Sequence, residues 1–192
     1  VDGALSQLSV RPGYQFLVDA AGQPVDVREA TLFSAYRLWL DGRKAELQTT
    51  LDTLKREGGI NSVRVLMSLG GEFWEGHGTD PKEPGYFGNL VPFARFLAGN
   101  GFYWHLGMFG SVEHFGTGPA VHRGDVVSDH PDIVQRMHQY VNQTVDTLDK
   151  EPNIIWQIAN EPNHIGFGSD SQGIIDLGIE ARRILSLSGW DD

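Results

Sequence analysis

The chain contains no cysteine. Disulfides, thiol nucleophiles and thiolate metal sites are therefore excluded. Basic residues are scarce: 15 Lys and Arg stand against 25 Asp and Glu, for a formal net charge of −10. Binding to a phosphate backbone or an anionic membrane needs clustered Lys and Arg, so neither nucleic acid nor membrane is an expected partner. No apolar stretch approaches the ~18 residues that a membrane span requires. The N-terminus shows no basic segment followed by an apolar core, so no signal peptide is visible. The seven histidines do not form a metal-site pattern. His114, His122, His130 and His138 are spaced too far apart for one helical face, and no H-E-x-x-H run is present. There is no glycine-rich phosphate loop and no G-x-S-x-G elbow. Neither a metal nor a cofactor is expected.

The informative stretch is Asn153-Ile154-Ile155-Trp156-Gln157-Ile158-Ala159-Asn160-Glu161-Pro162. A short apolar run suits a strand buried on both faces of a parallel sheet. Pro162 has no N–H and a fixed φ, so it ends the ladder. Asn160 and Glu161 then sit at the carboxyl end of the strand, where α/β folds bind their ligands.

Upstream, strand and helix signals alternate. Residues 1–13 read as a lead-in. Tyr14 to Asp19 and Val25 to Arg28 flank Ala20-Ala21-Gly22-Gln23-Pro24, a hairpin turn. Thr31 to Tyr36 is the expected first main strand. A helix follows over 44–57, with Leu47, Leu51 and Leu54 in one stripe and Gly58-Gly59 as its stop. Strand two spans Ile60 to Met67, and a long Gly- and aromatic-rich loop runs from Ser68 to Gly88. A helix over 90–98, a third strand over 102–109, and a loop from Gly110 to Ser128 follow. A third helix opens near Ser128-Asp129-His130-Pro131. The Asn-Glu-Pro strand is fourth, and a fourth helix begins near Asp170-Ser171. Such alternation predicts parallel βα units in a single domain over 1–192.

The Asn-Glu-Pro strand resembles the fourth barrel strand of the large clan of retaining glycoside hydrolases built on (β/α)8 barrels. The segments Phe16-Leu17-Val18-Asp19 and Gly22 to Arg28 are similar to the hairpin before the first barrel strand in cellulase- and mannanase-like members. Asn61-Ser62-Val63-Arg64-Val65-Leu66-Met67 is similar to their second strand with its arginine. The fold this implies is an α/β TIM-barrel type. A complete barrel needs ~250 residues, and 192 are present. The expectation is the N-terminal half: a hairpin over 14–28, then about four βα units over 29–192. A C-terminal half or a second subunit would complete it, and open sheet edges would favour pairing if the chain were whole.

The resemblance implies specific roles. Glu161 is the acid/base catalyst; apart from the resemblance, it could merely cap the next helix. Asn160 contacts the sugar 2-hydroxyl, or else serves as a turn residue. Arg64 supports the nucleophile, or else faces outward. That nucleophile lies on a seventh strand not seen here. Glu72, Glu75, Glu113 and Asp170 occupy rim loops, but nothing in their context marks them as substitutes. Phe73, Trp74, Tyr86 and Phe87 suit sugar stacking, or pack their loop onto the barrel. Trp39, Trp104 and Trp156 read as core. Phe109 stands where many cellulase-like members carry a strand-three histidine, and His105 lies four residues earlier on the same side of the strand.

The leading expectation is a glycoside hydrolase acting on a β-linked glucan or mannan, in a secreted or extracellular setting. The alternative is a non-catalytic carbohydrate-binding or structural protein on the same scaffold, for instance a host-surface recognition component.

Overall fold

The computed structural model describes residues 5–10, 16–70, 74–111, 113–115, 131–160, 175–179 and 181–182. Its centre is a sheet of four parallel strands in sequential order: β3 (Glu29–Thr31), β4 (Ser62–Ser68), β5 (Tyr103–Phe109) and β6 (Ile154–Ala159). The register sets Thr31 beside Arg64, Arg64 beside His105, and His105 beside Ile155. Helices α1 (Ala35–Leu40) and α2 (Lys44–Gly58) lie between β3 and β4 in sequence. Helices α3 (Leu90–Gly99) and α4 (Pro131–Leu148) make the next two crossovers. Residues 175–179 are helical again. Parallel neighbours need such crossovers, and sequential order with a helix per strand is the arrangement of a (β/α)8 barrel arc.

Strand alternation sorts the side chains into two sets. Val63, Val65 and Met67 of β4, with Trp104, Leu106 and Met108 of β5, join the helix-side core. Leu47 and Leu51 of α2, Phe93 and Leu97 of α3, and Met137, Val141 and Val145 of α4 meet them. Each such fully buried side chain contributes roughly 1.5–3 kcal/mol over leaving it in water. The opposite face carries Arg64, His105 and Gln157, the polar set that positions the site. The helix ends follow local chemistry. Gly59 caps α2 in the left-handed region at φ 58°, a conformation costly for any residue with a Cβ.

Two expectations need correction at the N-terminal side. The first main strand ends at Thr31, and Ala35 and Tyr36 begin a helix instead. Ala35, Tyr36 and Trp39 are all buried at helical spacing, so one face of a short helix gains the core contacts that a strand would split between two faces. The lead-in also carries structure. Ser9–Val10 (β1) pairs antiparallel with Leu17–Val18 (β2), and Val18 bridges to Pro24 across the expected turn. The Tyr103 hydroxyl donates to the Ser6 carbonyl at 3.2 Å, which ties this hairpin region to the entry end of β5.

A buried chain of three tyrosines braces the other end of the sheet. The Tyr36 hydroxyl donates to the Tyr86 carbonyl. The Tyr86 hydroxyl lies 2.9 Å from that of Tyr140 and 3.2 Å from the Met67 carbonyl, and Tyr140 reaches Met108 O at 3.3 Å. Loss of hydration on burial pushes all three phenols above their ordinary 10.0. The unfolded chain therefore releases these protons first. Their contribution to stability is complete below pH ~10 and is lost as pH rises towards the folded-state values. Urea midpoints are expected to hold up to about pH 10 and to fall steeply above it. Tyr86→Phe should be less stable at neutral pH and should show a shallower alkaline decline.

Candidate active site

The strand ends β4, β5 and β6 are laced together at the carboxyl face of the sheet. The Ser68 hydroxyl donates to Ser111 O at 3.2 Å, and the Gly70 N–H donates to Ser111 Oγ at 2.9 Å. The Asn160 N–H donates to Phe109 O at 2.9 Å, which extends the β5–β6 ladder one residue past Ala159. Asn160 is thus placed by backbone pairing at the point where the chain leaves the sheet.

Arg64 crosses the face of β5 to reach β6. Its Nε donates to Gln157 Oε1 at 2.9 Å, and its Nη2 donates to Asn160 Oδ1 at 2.7 Å. Gly107 makes that crossing feasible. A Cβ there would stand 2.6 Å from Leu66 Cδ2 and 3.3 Å from Gln157 Oε1, so a larger residue would crowd the gap. The forked guanidinium holds two amide oxygens at once, a geometry that lysine's single ammonium does not reproduce. The Arg64–Asn160 bond fixes the amide with its Nδ2 group still able to donate to a ligand. Among the described residues, the side-chain partners of Arg64 are the amides of Gln157 and Asn160.

Deeper along the same face, His105 Nδ1 lies 2.7 Å from Glu29 Oε2, which also accepts from the Ser62 hydroxyl at 3.2 Å. Phe109 does not share that environment. It is fully buried and packs edge-on against Phe115 and Tyr140, at ring distances of 5.3 and 5.4 Å. The strand end at Phe109, where many cellulase-like members carry a histidine, is therefore apolar and packs against α4.

The loop after β4 folds back over its own strand. Leu69 and Thr79 exchange backbone hydrogen bonds, and the Thr79 hydroxyl donates to Met67 O. His114 bridges this loop to the one after β5. Its Nε2 faces Leu69 O at 2.7 Å and its Nδ1 lies 3.3 Å from Asp80 Oδ2. Trp74 is half-buried, meets Phe33 edge-on at 5.5 Å, and forms a shared wall between two cavities. One is about 500 Å³ and polar; the other, about 390 Å³, is lined chiefly by Leu32, Phe33, Leu38 and Leu47. Arg37 closes the polar cavity with ion pairs at 2.7 Å to both Asp41 and Glu83. Burial alone would lower the Arg37 pKa, but the hydrogen bonds it donates to Glu83 and Asp41 outweigh this and hold the guanidinium above its ordinary value.

Tyr86 is removed from the set of sugar-stacking candidates. It is fully buried, with its ring packed among those of Tyr36, Phe87 and Tyr140. Phe87 likewise packs against the core. Trp74 keeps an accessible position. Glu161 and Phe73, and with them Glu72 and Asp170, lie outside the described residues. Glu75 is exposed. Among the described residues no group of three metal-ligating side chains occurs. Sequence reasoning also missed Gln157, because its role depends on a register that brings it to an arginine 93 residues away.

A family model described as Cellulase (glycosyl hydrolase family 5) matches residues 18–172. A search of the curated proteins returned no match. Among solved structures, an exo-β-1,4-mannosidase from Opitutaceae bacterium strain TAV5 is similar with a TM-score of 0.65 at 15% identity. That match covers 92% of this chain and 32% of the mannosidase. A β-glucanase from Saccharophagus degradans is similar with a TM-score of 0.59 at 14% identity, covering 97% of this chain and 52% of the glucanase. At such identities the likeness is one of fold. The chain spans 32% and 52% of these two solved chains, consistent with an arc of the barrel.

Proposed function

Because the chain belongs to the cellulase family, glycosyl hydrolase family 5, we propose that it forms part of a retaining glycoside hydrolase acting on β-linked glucan or mannan, with Glu161 as its acid/base. The observation that carries this reading is the Arg64–Asn160 bond at 2.7 Å. It holds an amide at the sheet rim immediately before Glu161. A residue next to a backbone-anchored, side-chain-clamped neighbour is a good mount for a group that must meet a glycosidic oxygen.

In this reading Glu161, protonated, delivers its proton to the leaving oxygen as the glycosidic bond breaks. A second carboxylate attacks the anomeric carbon and forms a glycosyl ester. Glu161, now ionised, takes a proton from water as that water cleaves the ester, so the configuration is retained. Asn160 Nδ2 donates to the sugar 2-hydroxyl, a bond that strengthens in the transition state. Arg64 holds Asn160 and supports the attacking carboxylate by its charge. We assign that carboxylate to the part of the barrel supplied by a C-terminal half or a second subunit. No cofactor enters these steps.

The test is to incubate the full-length protein with β-1,4-glucan and β-1,4-mannan oligosaccharides and follow the first product anomer by proton NMR. A β-configured product is expected. An α-configured product would replace the retaining mechanism with an inverting one. The buried Phe109 favours a second reading, binding without cleavage, because it puts an apolar ring where many cellulase-like members carry a histidine. Saccharide binding by calorimetry with no released reducing ends would establish that reading instead.

A further inference from the structure

The polar cavity beside Trp74 is lined by neither Arg64 nor Asn160. At about 500 Å³ it falls within the range of small-molecule sites, roughly 300–1,000 Å³. It opens next to Leu69 and Gly70, directly past the end of β4. Trp74 supplies an aromatic wall, the kind of surface on which the apolar face of a pyranose ring is buried.

The hydrogen-bonding inventory of the remaining lining is one-sided. Arg37 spends Nε and Nη2 on Asp41 and Nη1 on Glu83. His114 faces Leu69 O with one nitrogen and Asp80 with the other. Among the described residues, the Arg37 and His114 side-chain donors are thus turned onto the protein itself. The acceptors are not exhausted. Among the described residues, Asp41 accepts from Arg37; Glu83 from Arg37 and the Asp80 N–H; Asp80 from the Lys82 N–H, and it faces His114. A carboxylate has about four lone-pair positions, so each keeps capacity for a ligand. Their side chains remain 39, 33 and 32% exposed, so a ligand reaches them. Three carboxylates face one guanidinium and one imidazole, so the cavity is acceptor-rich and negatively biased.

We infer that this cavity is a saccharide subsite past the end of β4 that accepts donor-rich sugar rings, neutral or amino, and rejects uronates. Hydroxyl or ammonium groups donate to Asp41, Asp80 and Glu83 while the ring lies against Trp74. A uronate brings another carboxylate to a place where the described cationic side chains, Arg37 and His114, already face protein acceptors, and repulsion from Asp41, Asp80 and Glu83 adds to the cost. This selectivity deepens the carbohydrate reading and rests on it.

The test is saturation-transfer NMR on the full-length protein with methyl β-glucoside, methyl β-glucosaminide and methyl β-glucuronide. The glucuronide is expected to bind about fivefold more weakly than the other two, the size of an exposed charge interaction. Trp74→Ala should weaken the glucoside and glucosaminide alike. Asp80→Asn and, separately, Asp41→Asn should narrow the gap between glucosaminide and glucuronide, and agreement between the two variants separates charge from loop disturbance. Equal binding of glucuronide and glucoside, no binding of any probe, or binding indifferent to all three variants would each overturn the assignment. Such a failure leaves the acid/base assignment standing, because hydrolysis by Glu161→Gln is read independently.

Discussion

Full-length protein carrying Glu161→Gln is expected to lose about 10²–10⁴-fold of its turnover on unactivated β-linked oligosaccharides, the usual worth of a positioned general acid/base. Glutamine keeps the size and the acceptor oxygen but has no acidic proton to give. The loss should depend on the leaving group. A sugar alcohol needs its oxygen protonated as the bond breaks, whereas a nitrophenolate departs with little help. The first bond-breaking step on a nitrophenyl glycoside, seen as a burst of phenolate, should therefore survive far better than cleavage of an oligosaccharide. The second step should remain slow, since water still lacks its base. Equal losses on both substrates would assign Glu161 to folding or binding rather than proton transfer. Near wild-type hydrolysis of oligosaccharides would remove it from the mechanism.

Arg64→Lys should have the second-largest effect. Arg64 donates to Gln157 and Asn160 through two different nitrogens, at 2.9 and 2.7 Å. A lysine ammonium is a point donor and cannot satisfy both in that geometry. Leaving a half-buried amide without its donor costs about 1–3 kcal/mol. Where that cost falls on the orientation of Asn160 in the transition state, kcat drops by roughly ten- to a hundredfold, at 1.36 kcal/mol per tenfold. KM should change much less. Coupling separates positioning from general destabilisation: Arg64→Lys and Asn160→Ala should be strongly non-additive in kcat, because they share one bond. Additive losses would mean that the two residues act independently, and the clamp would have no catalytic part.

Much of this architecture was legible in the sequence because it rests on periodicity. The apolar run before Asn160 reads as a buried strand, and the structure forms it over Ile154–Ala159. The stripe Leu47, Leu51, Leu54 with a following Gly-Gly reads as a helix and its stop, and α2 ends in that way. Local signals fail where two periodicities compete. Thr31 to Tyr36 is too short for either pattern to dominate, and the burial of Ala35, Tyr36 and Trp39 against the core decides for helix. Aromatics in a long loop are ambiguous for a different reason. Nothing in the order Phe73, Trp74, Tyr86, Phe87 says which ring faces water. Tyr86 is drawn inside because its hydroxyl finds Tyr140 and Met67 O there, partners supplied by other elements. The Arg64–Gln157 contact was illegible, since it depends on the register of three strands and on the missing Cβ of Gly107.

The central claim is that Glu161 is the acid/base and that its partner carboxylate comes from the rest of the barrel. The direct measurement is to trap the full-length protein with a 2-deoxy-2-fluoro-β-glycoside bearing a good leaving group, then locate the bound sugar by peptide mass spectrometry. The electron-withdrawing fluorine slows both steps, but the good leaving group lets the ester form and accumulate. The account predicts one sugar on one carboxylate outside residues 1–192, with Glu161 unmodified. A label on Glu161 itself, or on another carboxylate within these residues, would contradict it.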